Sequence, residues 1–264
     1  MALMQLKQAR LEVRAIEAPA AAHAKAPLVF LHEGLGSVAM WQTREGFWPA
    51  QVCAATGRAG WVYSRQGYGA SDPIADVRGT GRHPPNYMHA HAQETLPELL
   101  QALPLDNGPP PVLVGHSDGG TIALIHAANH ALSACVVMAP HVMVEDISIR
   151  AIEAAREAYQ NGNLRDRLTR FHSDVDNAFW QWNDVWLSEA FRSFDIRDLC
   201  KHIRCPVLAL QGVDDPYGTL RQIDEIAPAG PVQRVAIPQC GHSPHRDQPQ
   251  ATLDAIVAFL ADLP

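Results

Sequence analysis

The sequence has no apolar run approaching the roughly 18 residues that a membrane-spanning helix needs. Basic residues are also scarce, since 21 Lys and Arg stand against 28 Asp and Glu and give a formal net charge of −7. They are dispersed along the chain, whereas a nucleic-acid-binding protein presents a clustered basic face. We therefore expect neither a membrane nor a nucleic acid among the partners of this protein.

Cysteine is too infrequent and too irregularly spaced to form a disulfide framework or a zinc site, and no CxxC pair occurs. The amino-terminal stretch MALMQLKQARLEV is charged and has no apolar core followed by a cleavage site, so it does not resemble a signal peptide. We expect reduced thiols, no bound metal and a cytoplasmic location.

What the sequence does contain is a repeated alternation of strands and helices. Its 264 residues fit one large domain, or one domain with an insertion. A strand or hairpin is predicted over residues 6–17, followed by six continuous apolar runs typical of strands buried on both faces: 26–34, 60–69, 110–117, 133–140, 205–212 and 232–242. Helices are predicted at roughly 38–55, 87–103, 118–131, 217–227 and 248–262. This alternation predicts an α/β fold with a mainly parallel sheet covered on both faces.

One segment breaks the alternation. Residues 141–200 contain no convincing strand and are rich in Phe and Trp. We interpret this segment as a helical insertion between two strands of the sheet. It divides the chain into a core (1–140 and 201–264) and a lid (141–200), and a lid commonly carries substrate specificity.

The stretch GHSDGG, residues 115–120, follows one buried run and precedes a predicted helix. It fits the pattern G-x-S-x-G, in which the serine stands on a sharp strand-to-helix turn with its hydroxyl exposed above the sheet. Small residues on either side of the serine let the strand and the helix approach closely. The spacing therefore favours Ser117 as a nucleophile over a purely structural turn.

Two later strands end in the groups that would activate such a nucleophile. The stretch LALQGVDDPYGT offers Asp214 and Asp215 as the carboxylate, and we favour Asp215, with Asp214 as a turn or capping residue. The stretch IPQCGHSPHRDQP offers His242 and His245 as the base. We favour His242 and expect His245 to pack within the loop.

The chain order Ser, Asp, His resembles that of the α/β-hydrolase superfamily, and the likeness runs from Ala26 to Leu263. HEGLG (32–36) is similar to the family's HGGPG-type motif, and SRQGYGASD (64–72) is similar to D-x-R-G-x-G-x-S with Ser64 in place of the acid. The likeness is to the serine-hydrolase branch that includes proline iminopeptidases and C–C hydrolases. It implies an eight-stranded sheet with a helical cap after strand six, and no cofactor or metal.

The resemblance also implies an oxyanion hole made of the backbone N–H groups of Gly34 and Asp118. Glu33 departs from the family motif, which has glycine there. It either pairs with Arg65, which we favour, or contacts the substrate. Further candidates for the substrate pocket come from the predicted lid: His141, Trp182 and Trp186.

We expect a hydrolase that acts on a small molecule, with carboxylic esters as the first substrate class. The alternatives are cleavage of a C–C bond and hydrolysis of an amide or amino-terminal residue, because the same groups serve all three. A ligand-binding receptor and an acyltransferase are further options on this fold. The sequence permits a homodimer but does not require one.

Overall fold

The computed structural model describes residues 2–17, 25–105 and 108–263. Its centre is an eight-stranded sheet, whose strands we number in chain order. They are β1 (Ala2–Gln5), β2 (Arg10–Ile16), β3 (Leu28–Leu31), β4 (Gly60–Tyr63), β5 (Val112–His116), β6 (Ala134–Met138), β7 (Val207–Gly212) and β8 (Val232–Ile237). The order across the sheet is β1-β2-β4-β3-β5-β6-β7-β8. Only β2 pairs antiparallel, with β1 and β4, so the prediction of a mostly parallel sheet is confirmed.

Helices connect the strands. They are α1 (Trp48–Thr56), α2 (Tyr87–Ala90), α3 (Leu96–Ala102), α4 (Asp118–Ala127), α5 (Asp146–Gln160), α6 (Leu164–Leu168), α7 (Val175–Trp186), α8 (Arg197–Cys200), α9 (Arg221–Asp224), α10 (Pro244–Asp247) and α11 (Pro249–Leu260). α2 and α3 are joined by a π-helical turn, so they form one bent helix. None of the described helices is both long enough and apolar enough to cross a membrane.

The sheet separates two apolar cores. Successive residues of a strand point to opposite faces, so β3 places Leu28 and Phe30 in one core and Val29 and Leu31 in the other. α1 and α11 cover the first core, and α2, α3 and α4 cover the second. This coverage on both faces is the reason that β3 and β6 are apolar at every position.

The helix predicted over residues 38–55 is only partly correct. α1 begins at Trp48, and a 3₁₀ turn and a short hairpin of Gln42–Thr43 with Gly46–Phe47 precede it. Gly46 has φ of 125°, which no helix accommodates. The Thr43 hydroxyl also accepts a hydrogen bond from the Glu45 N–H and donates to the Gly46 carbonyl oxygen. Such local side-chain bonds compete with helix formation.

Residues 141–200 follow β6, the sixth strand, and contain α5 to α8. In this segment an isolated bridge between Met143 and Asp195 is the only β-type pairing. Asn177 of α7 makes two hydrogen bonds to the main chain of Ile74, at 2.7 and 3.1 Å, and so fixes α7 to the loop after β4. The segment is helical, as expected, and its action as a lid stays a prediction.

The register of the parallel strands aligns their carboxyl ends. Leu31 of β3 lies opposite Gly115 of β5, and His116 of β5 lies opposite Met138 of β6. β7 and β8 continue the same alignment. The loops that leave β3, β5, β7 and β8 therefore start at one edge of the sheet, which is where ligands bind in folds of this type.

Candidate active site

Ser117 stands on the turn between β5 and α4, with φ of 52° and ψ of −120°. This left-handed backbone is uncommon for a residue that has a side chain, and strain of this kind occurs at active sites. Two glycines make the turn possible. A Cβ on Gly115 would lie 2.6 Å from the Gly120 Cα, and one on Gly119 would lie 2.5 Å from the Leu31 carbonyl carbon.

We expect Gly119→Ala to lower the free energy of unfolding by about 1–3 kcal/mol, because the added methyl group meets the backbone of β3 rather than a flexible side chain. Gly120→Ala is the matched control, since the nearest atoms to its Cβ are 3.3 Å away. Urea denaturation of the two variants measures the difference. Equal losses of unfolding free energy in the two variants would show that the contact with β3 does not restrict position 119.

Ser117, His242 and Asp215 are brought together at the sheet edge. His242 Nε2 lies 2.9 Å from Ser117 Oγ, and His242 Nδ1 lies 2.8 and 3.0 Å from the two carboxylate oxygens of Asp215. A carboxylate only accepts hydrogen bonds, so Nδ1 carries the proton of the neutral ring. Nε2 is then free to accept the proton of the Ser117 hydroxyl.

Asp215 is buried and held by further donors. Gln211 Nε2 donates to Oδ2 at 2.7 Å, and the Tyr217 N–H donates to Oδ1 at 2.7 Å. Burial alone would raise the pKa of Asp215, but the hydrogen bond from His242 and the donors around it lower the pKa overall. The carboxylate therefore stays ionised beside the imidazole. No signal in the sequence pointed to Gln211, because a strand glutamine has no characteristic spacing.

Asp214 and His245, the alternative candidates for the carboxylate and the base, lie outside this set of hydrogen bonds. Asp214 is exposed to solvent, and its N–H donates to the Cys240 carbonyl oxygen. His245 is buried, with its ring centroid 4.9 Å from that of Trp41 and 5.4 Å from that of Trp48. Neither is within hydrogen-bond distance of Ser117 among the described contacts.

Gly34 and Asp118 follow two strands, β3 and β5, that are neighbours in the sheet. Gly34 follows β3, and Asp118 is the first residue of α4, where backbone N–H groups have no partner within the helix. Among the described residues, neither N–H donates a hydrogen bond to another protein group. Both donors are thus available to an oxygen atom of a ligand.

The Asp118 side chain points away into a polar cluster. It accepts hydrogen bonds from Tyr87 Oη at 2.6 Å and from Trp186 Nε1 at 3.3 Å, and it lies 3.9 Å from an Arg65 nitrogen. Burial raises the pKa of Asp118, against the lowering effect of Arg65. No spacing pattern indicates this role for Tyr87, since it lies 31 positions from Asp118 in the chain.

The expected pairing of the Glu33 carboxylate with Arg65 is wrong. The Arg65 guanidinium instead donates to the carbonyl oxygens of His32 and Glu33, at 2.7 and 3.0 Å. It is therefore directed at the backbone after β3 and at Asp118. The Glu33 carboxylate turns the other way, and its Oε2 lies 3.4 Å from His116 Nδ1.

The pocket candidates of the helical segment all lie near this site. His141 is buried, and its ring centroid is 4.9 Å from that of Trp186 and 5.7 Å from that of His242. Burial, together with the neighbouring His242 imidazole, lowers the pKa of His141 to about 3. Trp182 packs over Gly34, where a Cβ would overlap the Nε1 edge of its indole. Trp182 and Trp186 are one turn apart on α7, so one helix contacts both Gly34 and Asp118.

A mostly parallel eight-stranded sheet with a glycine-bounded serine turn after its fifth strand is the architecture of the α/β-hydrolases. A family model described as "Alpha/beta hydrolase family" matches residues 28–255. The chain belongs to this family, and it is a hydrolase.

Solved structures show the same fold over almost the whole chain. The enol-lactonase from Burkholderia xenovorans LB400 is 18% identical and covers 97% of this chain and 98% of its own, with a TM-score of 0.69. A thermophilic esterase from Thermogutta terrifontis is 18% identical and covers 98% of this chain and 96% of its own, with a TM-score of 0.68. Proline iminopeptidase from Mycobacterium smegmatis is 16% identical and covers 98% and 97%, with a TM-score of 0.67. At these identities the likeness concerns the fold alone.

Proposed function

We propose that this hydrolase cleaves a small carboxylic ester through an acyl-enzyme formed on Ser117. The observation that carries the proposal is the continuous set of hydrogen bonds from Ser117 Oγ through the His242 ring to Asp215. A serine hydroxyl is a weak nucleophile on its own, and a base held in place by a third group is the usual means of activating it. The unused N–H groups of Gly34 and Asp118 add support.

In the proposed mechanism, Ser117 Oγ attacks the acyl carbonyl carbon while His242 Nε2 takes the hydroxyl proton. Asp215 keeps the imidazole in the required tautomer and stabilises its positive charge. The N–H groups of Gly34 and Asp118 hold the oxyanion, and each contributes about 2–4 kcal/mol to transition-state stabilisation. His242 then protonates the leaving alkoxide, and water repeats the sequence on the acyl-enzyme.

The surroundings of Ser117 favour a small substrate with an apolar part. Ser117 is 5% exposed and Trp182 is 6% exposed, so both side chains are enclosed by neighbouring protein groups. The indoles of α7 offer apolar walls, and the neutral ring of His141 offers a polar contact without a charge. We assign residues 141–200 the role of a lid that selects the acyl group.

We also place the enzyme in the cytoplasm. All five cysteines are free thiols, and burial raises the pKa of the Cys53 and Cys200 thiols to about 12. Such thiols are not ionised at neutral pH and react slowly with oxidants. Unpaired cysteine is the usual state in a reducing compartment.

A panel of short p-nitrophenyl esters, lactones, anilides and vinylogous diketones tests the substrate class. We expect a burst of p-nitrophenol from the esters and labelling of Ser117 by a fluorophosphonate probe. The Ser117→Ala variant is the control for both. Faster turnover of the diketones or anilides would replace the ester assignment by C–C or amide hydrolysis. Binding of substrates with neither turnover nor labelling would instead identify a receptor.

A further inference from the structure

His116 and Glu33 lie next to the candidate active site, and neither has a part in the mechanism above. His116 Nε2 lies 2.6 Å from the main-chain oxygen of His242, and His116 Nδ1 lies 3.4 Å from Glu33 Oε2. His116 directly precedes Ser117, and Glu33 directly precedes Gly34. The two side chains therefore join the segments that carry the nucleophile, the base and one oxyanion donor.

The contacts define the protons on His116. A carbonyl oxygen only accepts, so Nε2 must donate to His242. Nδ1 makes no hydrogen bond among the described residues, and a Glu33 carboxylate oxygen lies 3.4 Å from it, which favours a proton on Nδ1 as well. Burial would raise the pKa of Glu33, but the contact with His116 and the charge of Arg246 hold it well below its usual range. Glu33 is thus ionised, and its carboxylate faces His116 Nδ1.

The surrounding residues keep this pair fixed. His116 has no solvent exposure, and its ring centroid is 5.0 Å from that of His245 and 6.5 Å from that of Trp41. Gly36 leaves room for the turned carboxylate, because a Cβ there would lie 2.5 Å from Glu33 Oε2. Water therefore has little access to compete for the His116 ring nitrogens.

We infer that Glu33 and His116 are positioning residues, which hold the main chain of His242 at the distance from Ser117 and Gly34 that acylation needs. The inference rests on the proposed serine-hydrolase function. The glycine that the family motif has at position 33 would leave His116 without this partner. Glu33 is therefore assigned to the alignment of the site and not to a contact with substrate.

Two substitutions of His116 separate its two contacts. Glutamine places an N–H near the position of Nε2 and can still donate to the His242 carbonyl oxygen, whereas asparagine reaches only the position of Nδ1. We expect His116→Asn to slow labelling of Ser117 by the fluorophosphonate about 10- to 100-fold, because a displacement of about 1 Å has effects of this size. His116→Gln is expected to recover the rate to about threefold below the wild type, and we assign that remaining loss to the missing contact with Glu33.

The steady-state constants and the ring nitrogens give independent readouts. The loss in His116→Asn should fall on kcat, with KM for the ester unchanged. ¹⁵N NMR of histidine-labelled protein at neutral pH should show both His116 nitrogens protonated, and Glu33→Ala should remove the Nδ1 proton. Glu12→Gln is the matched control, because Glu12 is also buried and hydrogen-bonded, to Ser64 and Ala70, but does not touch His116.

The outcomes distinguish this inference from the function on which it rests. Equal labelling rates for the Asn and Gln variants, or a wild-type His116 without a proton on Nδ1, would overturn the positioning role alone. A wild-type protein that the fluorophosphonate does not label would overturn the serine-hydrolase proposal, and the positioning role with it.

Discussion

Ser117→Ala is expected to lower kcat/KM for the best ester of the panel by at least about 10⁴-fold, because no acyl-enzyme can form without the hydroxyl. The Ser117 hydroxyl lies 2.9 Å from His242 Nε2, and the turn holds it there at the expense of a left-handed backbone. The residual rate would come from the oxyanion donors and water. Initial rates at matched active-site concentration measure the loss.

Ser71→Ala is the control for this experiment. Ser71 is 6% exposed, close to the 5% of Ser117, and its hydroxyl is also hydrogen-bonded, to the Ser64 carbonyl oxygen and the Glu12 N–H. We expect it to lower the free energy of unfolding by about 1 kcal/mol and to leave turnover intact. Full activity in folded Ser117→Ala would remove the nucleophile from the mechanism.

The arrangement of the strand ends was predictable from the sequence for a physical reason. Continuous apolar runs indicate strands buried on both faces, and strands of that kind are parallel. Parallel strands bring their carboxyl ends to one edge, so polar residues that directly follow such runs meet there. Ser117 and His242 stand 125 positions apart in the chain, and the strands that precede them bring them to the same edge.

The partner of Glu33 was not predictable in this way. His116 lies on an apolar strand, and its contact with Glu33 depends on how the loop after β3 turns at Gly36. The hydrogen bond from His116 to the His242 carbonyl oxygen depends in turn on the conformation of the loop after β8, which contains His242. Such contacts depend on tertiary packing, and the spacing of residues in the sequence does not predict them.

The predicted start of α1 was wrong for a local reason. Residues 38–47 have apolar content compatible with a helix, but the Thr43 hydroxyl bonds to its own turn, and Gly46 takes a backbone that helices exclude. A hydrophobic pattern alone does not reveal a side chain that competes for backbone groups. The predicted positions of the helices over 87–102 and 249–260 agree with the structure to within two residues.

The sequence alone does not determine whether Asp214 or Asp215 faces His242, because adjacent residues of a loop follow no periodic pattern that would distinguish them. The structure directs Asp215 inward, where it accepts hydrogen bonds from Gln211, Tyr217 and His242. Asp214 lies in solvent. The two positions therefore form a pair of neighbouring carboxylates with opposite surroundings, which makes them suited to a direct test.

Asp215→Asn is expected to lower kcat/KM about 10³- to 10⁴-fold, because an amide in place of the carboxylate reverses the tautomer of His242. The amide nitrogen would donate to Nδ1, the ring proton would move to Nε2, and Nε2 could no longer accept the Ser117 proton. Initial rates of ester hydrolysis measure the loss. A stronger leaving group should reduce the deficit only slightly, because deprotonation of Ser117 is the impaired step.

Asp214→Asn is the matched control, and we expect it to keep at least half of the wild-type rate, since its carboxylate faces water. The reverse result, in which Asp214→Asn is inactive and Asp215→Asn is active, would show that the loop after β7 presents the other carboxylate to His242 during turnover. An equal and small effect of both substitutions would show that His242 works without a carboxylate. In that case the bonds from Gln211 and Tyr217 to Asp215 would serve only to hold the loop.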